Sequence, residues 1–386
     1  MRRRRVVIPG LRPVSIETVF DYFGKLEDPR VDRTKHHRLM DMLVIAICGV
    51  ISGANGWVGI EQFGLSKLEW FRTFLDLPNG IPSHDTFGRV FARLNPKQFM
   101  ECFAAWISSV AEATGGRVIA IDGKTLRRSF DKASSKSAVH MVSAWATENG
   151  LVLGQIQTDA KSNEITAIPR LLDVLDVEGA VVTIDAMGCQ TKIAKKIVGQ
   201  GGDYLFSLKG NHETFHQEVI SFFEDAERHN FQDVPHSYQE TTDGDHGRVE
   251  TRRVWVTAAI DWFQDKKRWK GLRSFGMVEA KRDVDGKVST ERRYFISSLS
   301  GDDADRFGEA VRSHWRIENS LHWCLDIGFR EDDSRIRSGN AAENFAVLRH
   351  IAINLLKKEK TSKVGIENKR LKAGWDTGYM LKVLFG

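Results

Sequence analysis

Two aspartates, Asp122 and Asp185, each follow a short and mostly apolar run, Val118–Ile121 in one case and Ala180–Ile184 in the other. Runs of this kind predict strands that are buried on both faces of a sheet. A carboxylate at the end of a buried strand is costly unless a cation compensates its charge, and carboxylate oxygens suit Mg²⁺ or Mn²⁺. Because ligands bind at the carboxyl ends of strands in open α/β sheets, we expect both aspartates to lie side by side in a metal site.

A third carboxylate, Glu318, is expected from the helical segment 313–337. An apolar stripe on this helix is expected to face the sheet, and it consists of Ile317, Leu321, Leu325 and Cys324. Glu318 lies beside the stripe and therefore points toward the sheet, where it could complete the metal site. The alternative is an exposed acid that pairs with Arg312 or Arg316.

Basic residues near these acids could hold phosphates, since arginine offers bidentate contacts and lysine a point charge. Some follow Asp122 directly, others lie near Asp185 or Glu318, and two lie on a basic helix that follows a turn. The expected DNA-binding residues are Lys124, Arg127, Arg128, Lys209, Arg316, Arg335, Arg337, Arg89 and Arg93. Each could equally be a solvated charge, and the helices that carry the last two could pack together without forming a helix-turn-helix.

The elements that position these residues change in type along the chain. Residues 14–113 have apolar residues at helical spacing, which predicts an all-helical N-terminal domain over 1–115. From residue 117 the order is strand, hairpin at Asn149-Gly150, helix, strand, helix and strand, which predicts an α/β domain with a mixed sheet. A β-rich insertion is expected at about 210–295, before the chain returns to helix.

Composition places the chain among ordinary globular proteins, with 41% hydrophobic residues, 28% charged residues and a net charge of +5. The basic residues cluster at Arg2–Arg5 and in a C-terminal tail from Ile351 onward, where they could contact phosphates or simply be solvated. The 4 cysteines are far apart, which argues against a secreted disulfide framework and for reduced thiols in a cytoplasm. No apolar run is long enough to span a bilayer, so we expect no membrane partner.

One motif indicates different chemistry. His212, Glu213 and His216 fit the H-E-x-x-H signature of zinc metallopeptidases. Gly210-Asn211 places the first histidine at the start of a helix, whereas the signature requires both histidines on one helical face. The metallopeptidase is therefore kept only as an alternative.

The chain resembles bacterial insertion-sequence transposases of the DDE type, in the H-repeat-associated (IS4-like) group. The resemblance extends over nearly the whole chain. The segments that carry it are 28–30, 81–94, 119–129, 183–190, 204–212, 314–350 and 369–376. Relatives in the wider class have Tyr and Arg before the glutamate and Lys after it, whereas this chain has Val311, His314 and Leu325.

The resemblance implies an RNase H-like catalytic domain over 116–386, with the triad Asp122, Asp185 and Glu318 holding two Mg²⁺ or Mn²⁺ ions. It implies a transposase that cleaves the ends of its own element and joins the 3′-OH to target DNA. The implied partner is double-stranded DNA, with a homodimer in the synaptic complex and a nucleoid-associated location in the bacterial cytoplasm. A catalytically silent DNA-binding repressor and a plain metal-dependent nuclease are the alternatives.

Overall fold

The computed structural model describes residues 16–110, 118–130, 138–158, 164–245 and 248–385. The segment before residue 111 forms helices whose apolar faces turn inward. Ser83 caps the fifth helix, because its Oγ accepts a hydrogen bond from the amide of Thr86 at 3.3 Å. The helices are α1 (Ile16–Phe23), α2 (Leu39–Ile51), α3 (Trp57–Ser66), α4 (Leu68–Phe71), α5 (His84–Arg93) and α6 (Pro96–Val110). The basic cluster Arg2–Arg5 lies outside the described residues.

A nine-stranded mixed sheet forms the centre of the molecule. Its strands are β1 (Val118–Leu126), β2 (Val139–Ala146), β3 (Leu151–Gln157), β4 (Val181–Ile184), β5 (Asp203–Leu208), β6 (His236–Asp245), β7 (Arg248–Thr257), β8 (Ser274–Val284) and β9 (Lys287–Ser297). The spatial order is β3-β2-β1-β4-β5-β9-β8-β7-β6. Strands β1, β4 and β5 are parallel to one another, and every other neighbouring pair is antiparallel. The predicted mixed sheet and its hairpin at Asn149-Gly150 are thus confirmed.

Helices α7 (Glu164–Leu172) and α8 (Thr191–Gly199) connect β3 to β4 and β4 to β5, as parallel pairing requires. The segment 210–295 contributes α9 (Glu213–Arg228) and strands β6 to β9. These strands extend the same sheet, because β9 pairs with β5. The sequence did not predict β6. This strand lies at the edge of the sheet, and its mostly polar residues lack the apolar alternation that indicates a strand.

The last part of the chain is helical. Its helices are α10 (Ala304–His314), α11 (Trp323–Phe329), α12 (Ala341–Lys358), α13 (Ile366–Trp375) and α14 (Thr377–Phe385). Helix α12 packs against α2, α5 and α6 on one side and against β2 and β3 on the other. Trp57 stacks on Phe91 of α5 and meets Phe345 of α12 edge-on, at centroid distances of 5.0 and 4.9 Å. One hydrophobic core therefore runs across the predicted domain boundary near residue 115.

The predicted basic C-terminal tail is folded, which corrects that expectation. Lys369 is buried and donates to the carbonyl of Leu356 at 2.9 Å, at the end of α12. Arg370 is buried as well and donates to the carbonyl of Val50 at 2.8 Å, at the end of α2. Both side chains donate to carbonyls in the last turn of a helix, so they are not free to contact phosphates.

Among the helices that the structure describes, none combines the length and the apolar character needed to cross a bilayer.

Candidate active site

Asp122 and Asp185 lie side by side. The parallel pairing of β1 and β4 ends with Ile121 opposite Ile184, and the next residue on each strand is the aspartate. Asp185 directly follows β4, as predicted. Asp122 does not end its strand, because β1 continues to Leu126 by pairing with β2 alone. The site therefore lies where the parallel pairing stops, in the gap that opens between β1 and β4.

Both aspartates lie where burial disfavours their negatively charged form. Burial raises the pKa of Asp122 to about 7, and the negative charges of Glu164, Asp185 and Glu318 add to this effect. Burial and the charge of Glu164 also raise the pKa of Asp185. The Asp185 Oδ1 accepts hydrogen bonds from the amides of Met187 and Gly188, at 3.0 and 3.3 Å, so the loop after β4 fixes its orientation.

Glu318 lies on the segment between α10 and α11, where its side chain is exposed, and its negative charge adds to the raised pKa of Asp122. The predicted continuous helix over 313–337 is wrong in detail, because Glu318–His322 form a π-helical turn. Helix α11 then ends at Arg330, whose φ of 49° is left-handed. Three residues of the predicted stripe, Ile317, Leu321 and Leu325, are buried as expected, whereas Cys324 is only partly buried. Within the described residues Glu318 pairs with neither Arg312 nor Arg316. Single π turns inside helical segments occur frequently at functional sites.

His322 lies on the same π turn, and the sequence indicated no role for it. Its Nδ1 is 3.6 Å from Asp122 Oδ2, and its Nε2 is buried without a hydrogen-bond partner among the described residues. Burial and the nearby Lys124 charge lower the pKa of His322 to about 4. The ring is therefore neutral at physiological pH and does not neutralise Asp122.

Lys124, expected to contact phosphate, lies instead in a buried ion-pair network. Its Nζ pairs with Asp326 and, at 3.1 Å, with Glu331 Oε2. The opposite oxygen of Glu331 pairs with Arg349 at 3.3 Å, and both side chains are almost fully buried. Although burial raises it, the Arg349 and Lys124 charges hold the pKa of Glu331 below its ordinary value. The network fixes the chain that follows Asp122 against the segment that follows Glu318.

Three other predicted DNA-binding residues, Arg127, Arg128 and Arg337, contact neighbouring groups of the protein. Arg127 pairs with Asp332 at 3.1 Å, and Arg128 pairs with Asp333 at 3.3 Å. Arg337 donates to the carbonyl of Arg128 at 3.0 Å, so it supports the same loop. The exposed members of the predicted set are Arg89, Arg93, Lys209, Arg316, Arg335 and also Arg127 and Arg128, whose ion pairs lie at the surface. Of these, Lys209 is close enough to Asp185 to lower its pKa slightly against the effect of burial.

The three predicted metal ligands have the chemistry that a divalent cation prefers. Asp122, Asp185 and Glu318 offer only carboxylate oxygens, and the pKa values of Asp122 and Asp185 are raised chiefly by burial, with neighbouring carboxylates adding to the effect. Within the described residues, no three histidine, cysteine or acidic side chains already lie close enough to hold one ion. A bound ion would therefore draw these carboxylates together.

The metallopeptidase geometry does not form. His212 lies in a 3₁₀ turn before α9, and its Nε2 donates to the carbonyl of Cys189 at 2.6 Å. His212 therefore lies outside the helix that carries His216, whereas the signature needs both histidines on one face of a single helix. His216 lies one turn into α9, where its ring meets Tyr294 edge-on at 5.6 Å.

Comparison with known proteins shows the family of the chain. Residues 20–107 match the family model described as DDE_Tnp_1-associated, and residues 113–355 match the model of the transposase DDE domain. The H repeat-associated putative transposase YhhI of Escherichia coli (strain K12) is 42% identical over 97% of this chain and 99% of its own length. The putative transposase YncI of Escherichia coli O157:H7 is 44% identical over 96% of this chain and 95% of its own length.

Among solved structures, a cryo-EM structure of a piggyBac transposase synaptic complex with hairpin DNA overlaps 95% of this chain and 76% of that chain. The TM-score of 0.39 and the identity of 10% are too low to support an inference about this molecule. The family model covers more than half of the chain, and relatives match almost its full length. The chain therefore belongs to the DDE transposase family, in the group of H repeat-associated transposases.

Proposed function

We propose that this chain is an active DNA transposase that cleaves the ends of its own element and joins the freed 3′-OH to target DNA. The observation that carries the proposal is the register of β1 and β4, which brings Asp122 and Asp185 together within the electrostatic reach of Glu318. Asp122 would hold both of two Mg²⁺ or Mn²⁺ ions, and Asp185 and Glu318 would hold one each. Bound ions of this kind supply activation of the attacking water or 3′-OH and stabilisation of the leaving oxygen.

The chain's own residues prepare the site for this chemistry. Asp185 is oriented by two backbone amides, and Asp122 follows a strand segment whose residues are fully buried. The Lys124 network holds the segment beyond Asp122 in place, so the aspartate is positioned from both sides. His322 lines the site as a neutral ring, so it does not itself supply the positive charge that the carboxylates require. Preorganisation of this kind lowers the cost of reaching the transition state.

We infer that residues 116–386 form an RNase H-like catalytic domain with the insertion at 210–295, and that residues 1–115 form an associated helical domain. The half-sheet β3-β2-β1-β4-β5, with helices α7 and α8 in its crossovers, supports this assignment. The continuous core between the two parts indicates that they act as one body around the site.

A cleft beside Glu318 supports DNA as the substrate. It encloses about 190 Å³ between α10 and strands β6 to β9. Its polar lining includes Arg252, Arg282, Arg293, Arg312, Glu291 and Asn319, and each of the four arginines also pairs with a carboxylate. The Arg293 guanidinium lies 4.4 Å from the centre of the half-exposed Trp315 ring, so cationic and aromatic groups together face the opening. Arginine and tryptophan are suited to phosphates and to unpaired bases.

We propose that exposed Lys209, Arg316, Arg335, Arg89 and Arg93 extend this surface along double-stranded DNA. Joining two element ends requires two such sites, so we expect a homodimer in the synaptic complex. A protein of this kind would act on the nucleoid in the bacterial cytoplasm.

The test is end cleavage by purified protein. The substrate is a labelled duplex that carries the repeats flanking the protein's own gene, in Mg²⁺ or Mn²⁺, and the variants are Asp185→Asn and Asp21→Asn. Asp21 is an exposed aspartate of α1 outside the site, so its variant is the matched control. We expect cleavage at the repeat ends by wild type and control, and none by Asp185→Asn. Sequence-specific binding without cleavage by wild type would instead indicate a repressor, and cleavage by Asp185→Asn would show that the site is misplaced.

A further inference from the structure

Lys357, at the C-terminal end of α12, contacts the π turn that carries Glu318. Its Nζ donates to the carbonyl of Ser320 at 3.0 Å, and Ser320 is the middle residue of the turn Glu318–His322. The sequence placed Lys357 in a basic tail that could contact phosphates. In the structure its side chain is directed into the protein instead, so this lysine has a role that the tail did not indicate.

The same ammonium group lies over the ring of Trp145, 4.2 Å from the ring centre, where the negative face of the indole attracts it. Trp145 is a buried residue of β2, and it pairs with Ala120 of β1, two residues before Asp122. Lys357 therefore links the strand beside Asp122 to the turn that carries Glu318.

The surroundings of Lys357 remove it from water without supplying an acid. Burial lowers the pKa of Lys357 to about 8, against a weaker opposing effect of Cys324. Among the residues that the structure describes, no carboxylate forms an ion pair with it. Lysine is rarely buried without such a partner. The Ser320 carbonyl and the Trp145 ring are the groups that stabilise this cation, so its position is tied to theirs.

The contact with Ser320 differs in kind from the apolar contacts of the same segment. Ile317 and Leu321 are fully buried, but apolar burial is non-directional and tolerates a rotation of the turn about its axis. A hydrogen bond weakens steeply when its angle changes. The Lys357 contact therefore fixes the rotation of the turn. This rotation sets the direction in which the exposed Glu318 side chain leaves the turn.

We propose that Lys357 is a positioning residue of the strand-joining reaction, because it holds the π turn and thereby directs Glu318. The inference rests on the proposed function, since Lys357 acts through one of the proposed catalytic carboxylates. It also gives α12 a second role in the site. Arg349 of this helix pairs with Glu331, at 3.3 Å, in the network that holds the segment after Asp122. The same helix thus supports both sides of the site.

The experiment measures joining of pre-cleaved repeat ends to a target plasmid by the full chain in Mg²⁺, with protein in excess over DNA, and measures DNA affinity separately. The variants are Lys357→Met, Lys357→Arg and, as the matched control, Lys25→Met, which changes an exposed lysine after α1. We expect Lys357→Met to lower the joining rate at saturating protein by about 10- to 100-fold, with DNA affinity unchanged. Lys357→Arg keeps a cationic donor that can stack on the indole, so it should retain most of the rate. The control should join as wild type does.

Hydrogen exchange separates positioning from a general loss of stability. Lys357→Met should speed amide exchange in the π turn by about 10-fold or more, because the turn loses its donor. Exchange in α2 and α8, which do not contact Lys357, should stay as in wild type. The Lys25→Met control should leave exchange in the turn unchanged.

Three outcomes would overturn the proposal, and they are distinguishable. If Lys357→Met joins ends as fast as the control does, Lys357 does not position Glu318. If its slower joining accompanies faster exchange throughout the chain, or an equal loss of DNA affinity, the lysine is only structural or contacts DNA. If wild type itself joins no ends, the proposed function fails, and the positioning role fails with it.

Discussion

Asp122→Asn should stabilise the metal-free protein, and the gain should grow with pH. Burial and neighbouring carboxylates raise the pKa of Asp122 from 3.8 to about 7 in the folded protein. The folded state therefore binds the Asp122 proton more tightly than the unfolded chain does. As the pH rises from about 4 to about 7, the unfolded chain loses this proton while the folded protein still holds it. The free energy of unfolding therefore falls over this pH range. Asparagine has no proton to lose, so the variant escapes this penalty.

The magnitude follows from the pKa shift. A change of about 3 units corresponds to about 4 kcal/mol at 1.36 kcal/mol per unit, which is an upper bound for the gain between pH 4 and pH 8. Divalent cations should stabilise wild type and not the variant, because they compensate the charge that the variant lacks. The difference between the two proteins should therefore shrink or reverse when Mg²⁺ is added.

The assay is urea unfolding of wild type and Asp122→Asn in a chelator, at pH 5, 6, 7 and 8. Asp21→Asn is the control, since this exposed residue has no burial cost to relieve. We expect the difference in unfolding free energy between Asp122→Asn and wild type to rise with pH, and that of the control to stay flat. A difference for Asp122→Asn that does not change with pH would refute the placement of this carboxylate among buried acids.

Three further substitutions test the framework that positions the site, each by urea unfolding. Arg349→Leu should destabilise the protein by about 3–5 kcal/mol, because it leaves the buried Glu331 without one of its partners. Gly276→Ala should cost about 1–3 kcal/mol, because the new Cβ would lie 2.3 Å from Phe307 Cζ of α10, the helix that leads into the π turn. Arg370→Ala should cost about 1–3 kcal/mol, because buried carbonyls at the end of α2 lose their donor.

Matched controls separate these effects from substitution as such. Gly244→Ala adds a Cβ where no atom lies within 4 Å, and Lys363→Ala truncates an exposed cation of the C-terminal segment. Both should leave the urea midpoint unchanged. If Gly276→Ala or Arg370→Ala behaves as its control does, the corresponding contact does not exist in solution.

The sequence predicted the parts of the site that depend on local patterns. The apolar runs before Asp122 and Asp185 have the length and composition of buried strands, and the register of β1 with β4 then brings the two aspartates together. The stripe through Ile317, Leu321 and Leu325 is buried as predicted, but the side chain of Glu318 beside it is exposed, and its place in the metal site stays a prediction.

The sequence could not predict features that depend on tertiary contacts. Lys124 resembles a phosphate ligand until the fold brings Asp326 and Glu331 against it. Lys369 and Arg370 were predicted to belong to a basic tail, because the neighbouring sequence does not show that they donate to carbonyls at the ends of α12 and α2. The sequence did not predict that the charge of Glu164 acts on Asp122 and Asp185, since this proximity arises only when α7 crosses over the sheet.

The central claim is tested most directly by strand joining. Pre-cleaved repeat ends with a free 3′-OH are mixed with a target plasmid in Mg²⁺, with wild type, Asp122→Asn, Asp185→Asn and Glu318→Gln, and DNA binding is measured in parallel. The account predicts that wild type joins the ends to the plasmid, and that each variant binds DNA but joins none. Joining by any of the three variants at the wild-type rate would contradict the assignment of that carboxylate to the catalytic site.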